Sequence, residues 1–306
     1  MGFGRRRRER ELQELLERME RLDGRAVDLS DPASGTHVVT RSRSALPSLV
    51  VLLVIVGLVG AWRFGLLAPL GDFGRPQTYV TVNGSRIAVP FPPKNSTRLL
   101  PPVQVSTHGA HAFLFALPGG KPIGYDPCRP VRYVIRPDGM PPLGERLITE
   151  SIAEVSALTG LKFEYAGPTT EEPASSRAVI QPSRYGEDWA PVLIAWTSPA
   201  EVPDLGGSVA GIGGSAEVPG ASGSGEWLAA GRLALDTKDI TRILAGRDGY
   251  SQAKAVVLHE LGHVVGLDHV QDRAALMFPE TATLTDFGPG DREGLALVGQ
   301  VSCERG

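Results

Sequence analysis

The eleven residues from His259 to His269 read HELGHVVGLDH, and the interpretation of the chain begins with them. On a helix, residues four apart lie on one face, so His259 and His263 can both direct a ring nitrogen at one ion. Glu260 is rotated by about 100° around the helix axis and can reach a water on that ion without reaching the ion itself. Gly266 stands where a helix can end in the left-handed conformation, and the chain can then turn back and present His269.

Three neutral imidazoles form a catalytic rather than a structural ligand set for zinc. Structural zinc sites are typically closed by a fourth protein ligand and rich in cysteine, whereas three protein ligands leave one position for water, whose pKa falls to about 7. The pattern therefore predicts a zinc hydrolase with His259, His263 and His269 as ligands and Glu260 as general base. The alternative is a chance match of two histidines on a buried helix. At average amino-acid composition, a chance match that also includes Gly266 and His269 is far rarer, which argues against this alternative.

The elongated motif resembles the signature of the metzincin metalloproteases and, among these, of the matrixins. Downstream, Ala275-Leu276-Met277-Phe278-Pro279 is similar to the methionine turn of that clan, and residues 286–295 resemble the start of the last helix of a matrixin catalytic domain. The resemblance implies an α/β (α+β) metzincin-like fold with a mixed, mostly parallel twisted sheet, an active-site helix and a C-terminal helix. It also implies a zinc metalloendopeptidase that acts on protein or peptide substrates, with Met277 and Gly266 supporting the site.

We expect one zinc ion per chain. Matrixins of animals hold a second, structural zinc with additional histidines, but the others in this chain lie outside the expected core of the domain. They are His37, His108 and His111. A calcium ion is conceivable near Asp236, Asp239 and Asp248, but there is no compact loop of oxygen ligands, and solvated acids are the better interpretation.

The N-terminal part of the chain predicts a membrane anchor. Arginines cluster within residues 5–10 and recur at Arg41 and Arg43, before an uncharged run from Ala45 to Trp62. A helix over 45–67 can cross the roughly 30 Å hydrocarbon core, and the positive-inside rule leaves the N-terminus in the cytoplasm and the catalytic part outside. Two alternatives are a cleaved secretory signal, disfavoured by the long preceding segment, and a buried core helix, disfavoured by the arginine-rich flank.

The chain then divides into a basic cytoplasmic tail (1–44), the transmembrane signal-anchor (45–67), an extracytoplasmic stalk or linker (68–110) and the catalytic domain (111–306). In the tail, apolar residues at helical spacing within 9–22 predict an amphipathic helix. This helix could lie on the membrane surface or pair with another copy, and the alternative is a frayed, solvated segment. The stalk is rich in Pro, Gly, Ser and Thr and contains one predicted hairpin over 79–89. The net charge of −3 gives no signal for nucleic-acid binding.

Strand and helix patterns alternate in the catalytic domain. Strands are predicted over 131–135, 161–165, 178–180, 192–196 and 232–236, and helices over 143–158, 250–265 and 291–299. Glycine and proline dominate 203–225, so this segment is expected to be mostly irregular. Within it, 208–212 is a candidate edge strand able to receive an extended substrate, and a surface loop is the alternative.

The two cysteines, Cys128 and Cys303, both lie in the predicted extracytoplasmic part and predict one disulfide. Closing so long a loop would stabilise the fold by about 4 to 5 kcal/mol in the chain-entropy model. The alternative is a latency switch in which the Cys128 thiolate occupies the open zinc position and Cys303 remains unpaired.

Two functions of other classes remain open beside the peptidase. One is a zinc hydrolase acting on a non-peptide amide or ester of the cell envelope, and the other is a catalytically silent, membrane-tethered binding module. The intact Glu260 argues against the silent module, because a module that only binds has no need of a general base.

Overall fold

The computed structural model describes residues 76–207, 209–279 and 284–305 of the 306-residue chain. Within these ranges, no helix is long and apolar enough to cross a bilayer. The predicted cytoplasmic tail and the predicted anchor at 45–67 lie outside the described residues, as does the beginning of the predicted stalk.

The described residues form nine strands, five α-helices and one short 3-10 helix (Pro203–Leu205). The strands are β1 (Tyr79–Val82), β2 (Ser85–Ala88), β3 (Ala112–Phe113), β4 (Val131–Arg136), β5 (Phe163–Pro168), β6 (Val192–Thr197), β7 (Gly211–Pro219), β8 (Glu226–Asp236) and β9 (Leu267–Asp268). The helices are α1 (Gly144–Thr159), α2 (Pro182–Tyr185), α3 (Thr237–Leu244), α4 (Gly249–Val265) and α5 (Pro289–Gly299).

The central sheet has five strands in the order β5-β4-β6-β8-β7. β4 pairs in parallel with β5 and β6, and β6 pairs in parallel with β8, whereas β7 is antiparallel to β8. The predicted mixed, mostly parallel sheet is therefore confirmed. Its one antiparallel strand, β7, stands at the edge of the sheet.

The main core lies between this sheet and the helices α1 and α4. Leu147 and Val155 of α1, Leu258 and Leu261 of α4, and Leu233 of β8 all belong to one buried cluster. Apolar residues at helical spacing on α1 and α4 meet alternating apolar residues of the strands, as expected for amphipathic elements packed on one face of a sheet. The core thus fixes α4, which carries the first two predicted metal ligands, against the sheet.

Residues 76–110 differ from the predicted stalk, because they pack on the domain. The hairpin β1–β2 buries Val80 and Val82 against Val218 and Ala221. Further along, Thr107 donates to the carbonyl of Pro289 at 2.9 Å, at the start of α5. The composition of this segment correctly predicted little regular structure beyond the hairpin, but it carried no information about packing.

One predicted strand is absent, and the segment predicted to be mostly irregular contains a longer edge strand than the candidate at 208–212. Residues 178–180 form no strand, and only Ile180 makes an isolated bridge, to Trp189. Residues 203–225 are less irregular than predicted, because β7 covers nine of them and pairs with β8 from Gly211–Leu235 to Pro219–Glu226. Pairing with a buried neighbouring strand outweighs the low strand propensity of glycine.

The predicted disulfide is present and joins Cys128 to Cys303, 175 positions apart. The latency alternative is therefore wrong, because Cys128 has no free thiolate. The C-terminal segment is also tied down by Glu304, which accepts hydrogen bonds from Arg129 at 2.9 Å and from the backbone N–H of Ala221 at 2.6 Å.

Candidate metal centre and active site

The structure brings the three histidines of the motif together. The Nε2 atoms of His259 and His269 are 2.9 Å apart, and the Nε2 atom of His263 lies 3.2 Å from each of them. No other group of histidine, cysteine or acidic side chains in the described residues converges in this way, apart from Asp126 beside the disulfide sulfurs of Cys128 and Cys303. Because a disulfide sulfur is not a thiolate, that second group is a poor metal site.

The end of α4 explains how three ligands from one short stretch converge. His259 and His263 are one turn apart on α4, and the helix ends at Gly266, whose φ of 112° lies in the left-handed region that favours glycine. The N–H of Gly266 still bonds to the carbonyls of Gly262 and His263, each at 3.1 Å. The chain then reverses through β9, which pairs with β3, and presents His269.

Hydrogen bonds to carbonyl oxygens fix the tautomers of two ligands. Nδ1 of His259 lies 2.7 Å from the carbonyl oxygen of Leu276, and Nδ1 of His263 lies 2.9 Å from that of Leu267. A carbonyl oxygen only accepts, so each Nδ1 carries the proton and each Nε2 keeps a free lone pair. Burial, with a smaller contribution from His269, lowers the pKa of His263 to about 3 and keeps that ring neutral at pH 7.

Glu260 is buried and its side chain leaves α4 toward the edge strand β7. The strand approaches the helix closely here. A Cβ atom on Gly211 would lie 2.8 Å from Cγ of Glu260, and one on Gly213 would overlap the backbone carbonyl of Glu260. The absence of these two side chains allows β7 to run beside the predicted general base.

Met277 lies in a turn that is tied to both α4 and α5. A Cβ atom on Gly262 of α4 would lie 2.6 Å from Sδ of Met277, so that sulfur packs directly against the metal-binding helix. The N–H of Val270, the residue after His269, donates to the carbonyl of Met277 at 3.1 Å. Met277 therefore contacts α4 and is hydrogen-bonded to the segment that follows His269.

Asp291, at the start of α5, organises this turn from the other side. Its carboxylate accepts hydrogen bonds from the N–H groups of Leu276 at 2.5 Å, Met277 at 3.3 Å and Gly288 at 2.8 Å. Burial raises the pKa of Asp291, and these three donors oppose that rise. From the sequence, Asp291 was predicted only to begin the final helix. Its position three residues after Gly288, typical of a capping carboxylate, was the available signal.

The residues present fit a zinc ion. A tetrahedral site with Zn–N bonds of 2.0–2.1 Å separates its ligand nitrogens by about 3.3 Å, close to the 2.9–3.2 Å observed here. The donors are three imidazoles of which at least two have the required tautomer, and imidazole suits zinc. The three acids considered for calcium have other partners: Asp236 caps α3, Asp239 pairs with Arg242, and Asp248 lies 3.7 Å from Arg247.

Comparison with known proteins agrees with this geometry. Residues 210–289 match the family model of the matrixin peptidases. This segment is matrixin-like. It covers about a quarter of the chain and includes β7, β8, α4, the three histidines and Met277, and the match supports a metzincin-like zinc metallopeptidase domain.

The other comparisons are less specific. No curated protein matches the chain. Among solved structures, archaemetzincin from Methanopyrus kandleri aligns with a TM-score of 0.32 and 15% identity, over 54% of this chain and 92% of that one.

Proposed function

We propose that this protein is a membrane-anchored zinc endopeptidase. The observation that carries the proposal is the convergence of three Nε2 atoms within 2.9–3.2 Å, two of them with their Nδ1 protons held by carbonyls. The ligand set lies beside a buried glutamate and an edge strand. This arrangement suits the hydrolysis of an extended peptide.

Each residue of the site has a distinct task in this proposal. His259, His263 and His269 hold the zinc ion, which when bound polarises the scissile carbonyl and lowers the pKa of water. Glu260 accepts a proton from the attacking water and passes it to the leaving amine. The carbonyls of Leu276 and Leu267 hold the rings in the tautomer needed for ligation.

The edge of β7 supports a peptide as the substrate. In the order of the sheet, β7 has β8 on one side and no strand of the described chain on the other. Its free side can therefore pair with an extended peptide through main-chain hydrogen bonds, without demanding a particular side chain. A small non-peptide amide or ester has no extended main chain that could pair with such a strand.

The anchor and the location are proposed from the sequence alone. The arginine-rich segment followed by an uncharged apolar run places 1–44 in the cytoplasm and the catalytic domain outside, in a single-pass cell-membrane protein. The disulfide fits an oxidising compartment. Protease added to intact cells should then digest a C-terminal tag and spare an N-terminal one, and the reverse pattern would contradict this topology.

The peptidase assignment is tested with quenched peptides and with non-peptide amides and esters. Zinc-loaded full-length protein in detergent should cleave the peptides, lose this activity with a chelator and regain it with added zinc. Glu260→Ala should lower kcat by about 10²- to 10⁴-fold, the range for a lost general base, while the bound zinc is retained. Turnover of non-peptide substrates alone would favour the envelope hydrolase, and zinc binding without any turnover would favour the silent module.

A further inference from the structure

A cavity of about 80 Å³ lies beside the metal centre, on the side of His263 and His269. Its walls also include Gly214 of β7 and the residues Arg177 and Arg232. At about 15 Å³ for each enclosed water, this space holds on the order of five waters, enough for the carboxylate end of a side chain. The catalytic roles proposed above do not use it.

The cavity exists because β7 has no side chain at one position. Gly214 is the register partner of Arg232 on the neighbouring strand β8, so both residues face the same side of the sheet. A Cβ atom on Gly214 would find no atom within 4 Å. Arg232 is 9% exposed, and nothing on Gly214 covers it from the edge of the sheet.

Arg232 is a buried cation without a close carboxylate. Its Nη1 donates to the carbonyl of Pro173 at 2.7 Å, but no described acid forms an ion pair with it. Arg232 also lines the cavity, and none of its other nitrogens is a sealed polar atom without a partner. Burial lowers the pKa of Arg232, Asp204 opposes this from a distance and Arg177 adds to it, but a guanidinium remains charged at pH 7.

Two other charged side chains, Arg177 and Asp268, also line the cavity. Arg177 donates to both carboxylate oxygens of Glu171, at 2.7 and 3.0 Å, and its charge is compensated there. The carboxylate of Asp268 accepts the backbone N–H of His269 at 2.7 Å. Arg232 is therefore the cation of this cavity that has no ion pair within 4 Å among the described residues.

We propose that Arg232 forms an acid-accepting subsite, which takes an aspartate or glutamate side chain of the peptide bound along β7. The inference rests on the proposed peptidase function. A substrate carboxylate in the cavity would pair with Arg232 through charge-assisted hydrogen bonds, and the open space at Gly214 is its route in from the edge strand. The subsite would make the enzyme selective at one position of an otherwise permissive cleft.

The test uses zinc-loaded full-length protein and a set of quenched peptides. A single glutamate is moved through the three positions on each side of the scissile bond, and each peptide has a glutamine counterpart. At one position, the glutamate peptide should be cleaved with a kcat/KM at least about tenfold higher than the glutamine peptide, as expected for a hydrogen bond between charged groups.

Variants assign that preference to the cavity. In Arg232→Met the glutamate-to-glutamine ratio should fall to about one, and Gly214→Val should also reduce it by filling the space while leaving the cation in place. Arg136→Met removes another partly buried arginine, one that pairs with Glu201 outside the cavity, and should leave the ratio unchanged. Thermal unfolding shows whether each variant is folded. If Arg232→Met does not fold, Gly214→Val is the variant that tests the subsite.

Binding separates failure of the subsite from failure of the proposed function. Affinities of the same peptides for Glu260→Gln, measured by calorimetry, should show the same preference for glutamate. Binding preference without cleavage by the wild type would leave the subsite standing and overturn the peptidase. Cleavage with a ratio near one at every position, or a ratio retained in folded Arg232→Met, would overturn the subsite alone.

Discussion

The carboxylate of Asp291 accepts a hydrogen bond from the backbone N–H of Leu276, and the carbonyl of the same Leu276 accepts one from Nδ1 of His259. Two hydrogen bonds therefore connect the start of α5 to a predicted metal ligand on α4, across a turn that also contains Met277. The ring orientation of His259 depends on a residue that is 32 positions further along the chain.

Asp291→Ala should weaken zinc binding, because the turn that orients His259 would lose three hydrogen-bond acceptor contacts. Loss of an outer-shell partner typically lowers metal affinity by about 10- to 100-fold, and we expect a change in this range. The measurement is a zinc competition titration with a chromophoric chelator. Asp286→Ala, at an exposed acid of the same loop, is the matched control, and equal affinities in the two variants would contradict the role of Asp291.

Gly213→Ala and Gly214→Ala form a matched pair on β7. A Cβ atom on Gly213 would overlap the backbone carbonyl of Glu260, whereas one on Gly214 meets open space. We expect Gly213→Ala to lower the free energy of unfolding by about 1 to 3 kcal/mol, as overpacking does. Gly214→Ala should change it by less than about 1 kcal/mol. Urea unfolding of both variants checks this, and equal effects would mean that β7 does not approach α4 as described.

Removal of the disulfide should destabilise the domain without removing the metal ligands. Replacing both Cys128 and Cys303 with serine should lower the free energy of unfolding by about 2 to 5 kcal/mol, because the bond constrains a long segment of the unfolded chain. Chemical denaturation of the oxidised wild type and the double variant gives the difference. A variant as stable as the oxidised wild type would contradict this expectation.

The buried pair of Glu171 and Arg177 should make stability depend on pH in the acid range. Burial raises the pKa of Glu171, but donors from Arg177, Gln181 and Tyr185 outweigh it and lower the pKa below its usual value. Because the pKa in the folded state is below that of the unfolded state, the stabilisation is present above about pH 4.3 and is lost as the pH falls through the folded-state pKa.

Glu171→Gln tests this linkage. It should lower the free energy of unfolding by about 3 kcal/mol near pH 7, since it leaves the buried Arg177 without its counterion. The difference from the wild type should shrink as the pH falls below about 4.3 and then through the lower folded-state pKa, where Glu171 itself becomes protonated. Unfolding curves measured from pH 7 to pH 3 give the difference in free energy of unfolding between the wild type and Glu171→Gln. A difference that stays constant over this range would contradict the proposed linkage to Glu171.

The sequence predicted the elements in which local pattern and tertiary structure agree. The helix predicted over 250–265 is observed at Gly249–Val265, since apolar spacing and the glycine at its end specify both its buried face and its boundary. The hairpin formed as predicted, because Asn83 and Gly84 adopt the positive φ values that its turn requires. These features depend on residues close together in the chain.

Features that depend on distant residues were missed. The glycines of β7 predicted an irregular segment, but they are what lets the strand lie against Glu260. The cavity at Arg232 needs Gly214 and Arg232 on paired strands, and no periodicity within one segment encodes that juxtaposition. Asp291 acts through Leu276 only after the chain has folded back on itself.

Zinc content is the most direct test of the central claim that three imidazoles hold one catalytic metal ion. Mass-spectrometric metal analysis of the purified full-length protein should find one zinc per chain, and His263→Ala should lose it while Glu260→Ala retains it. A wild-type chain that binds no zinc at saturating concentrations, or a His263→Ala chain that binds it as tightly as the wild type, would contradict the account.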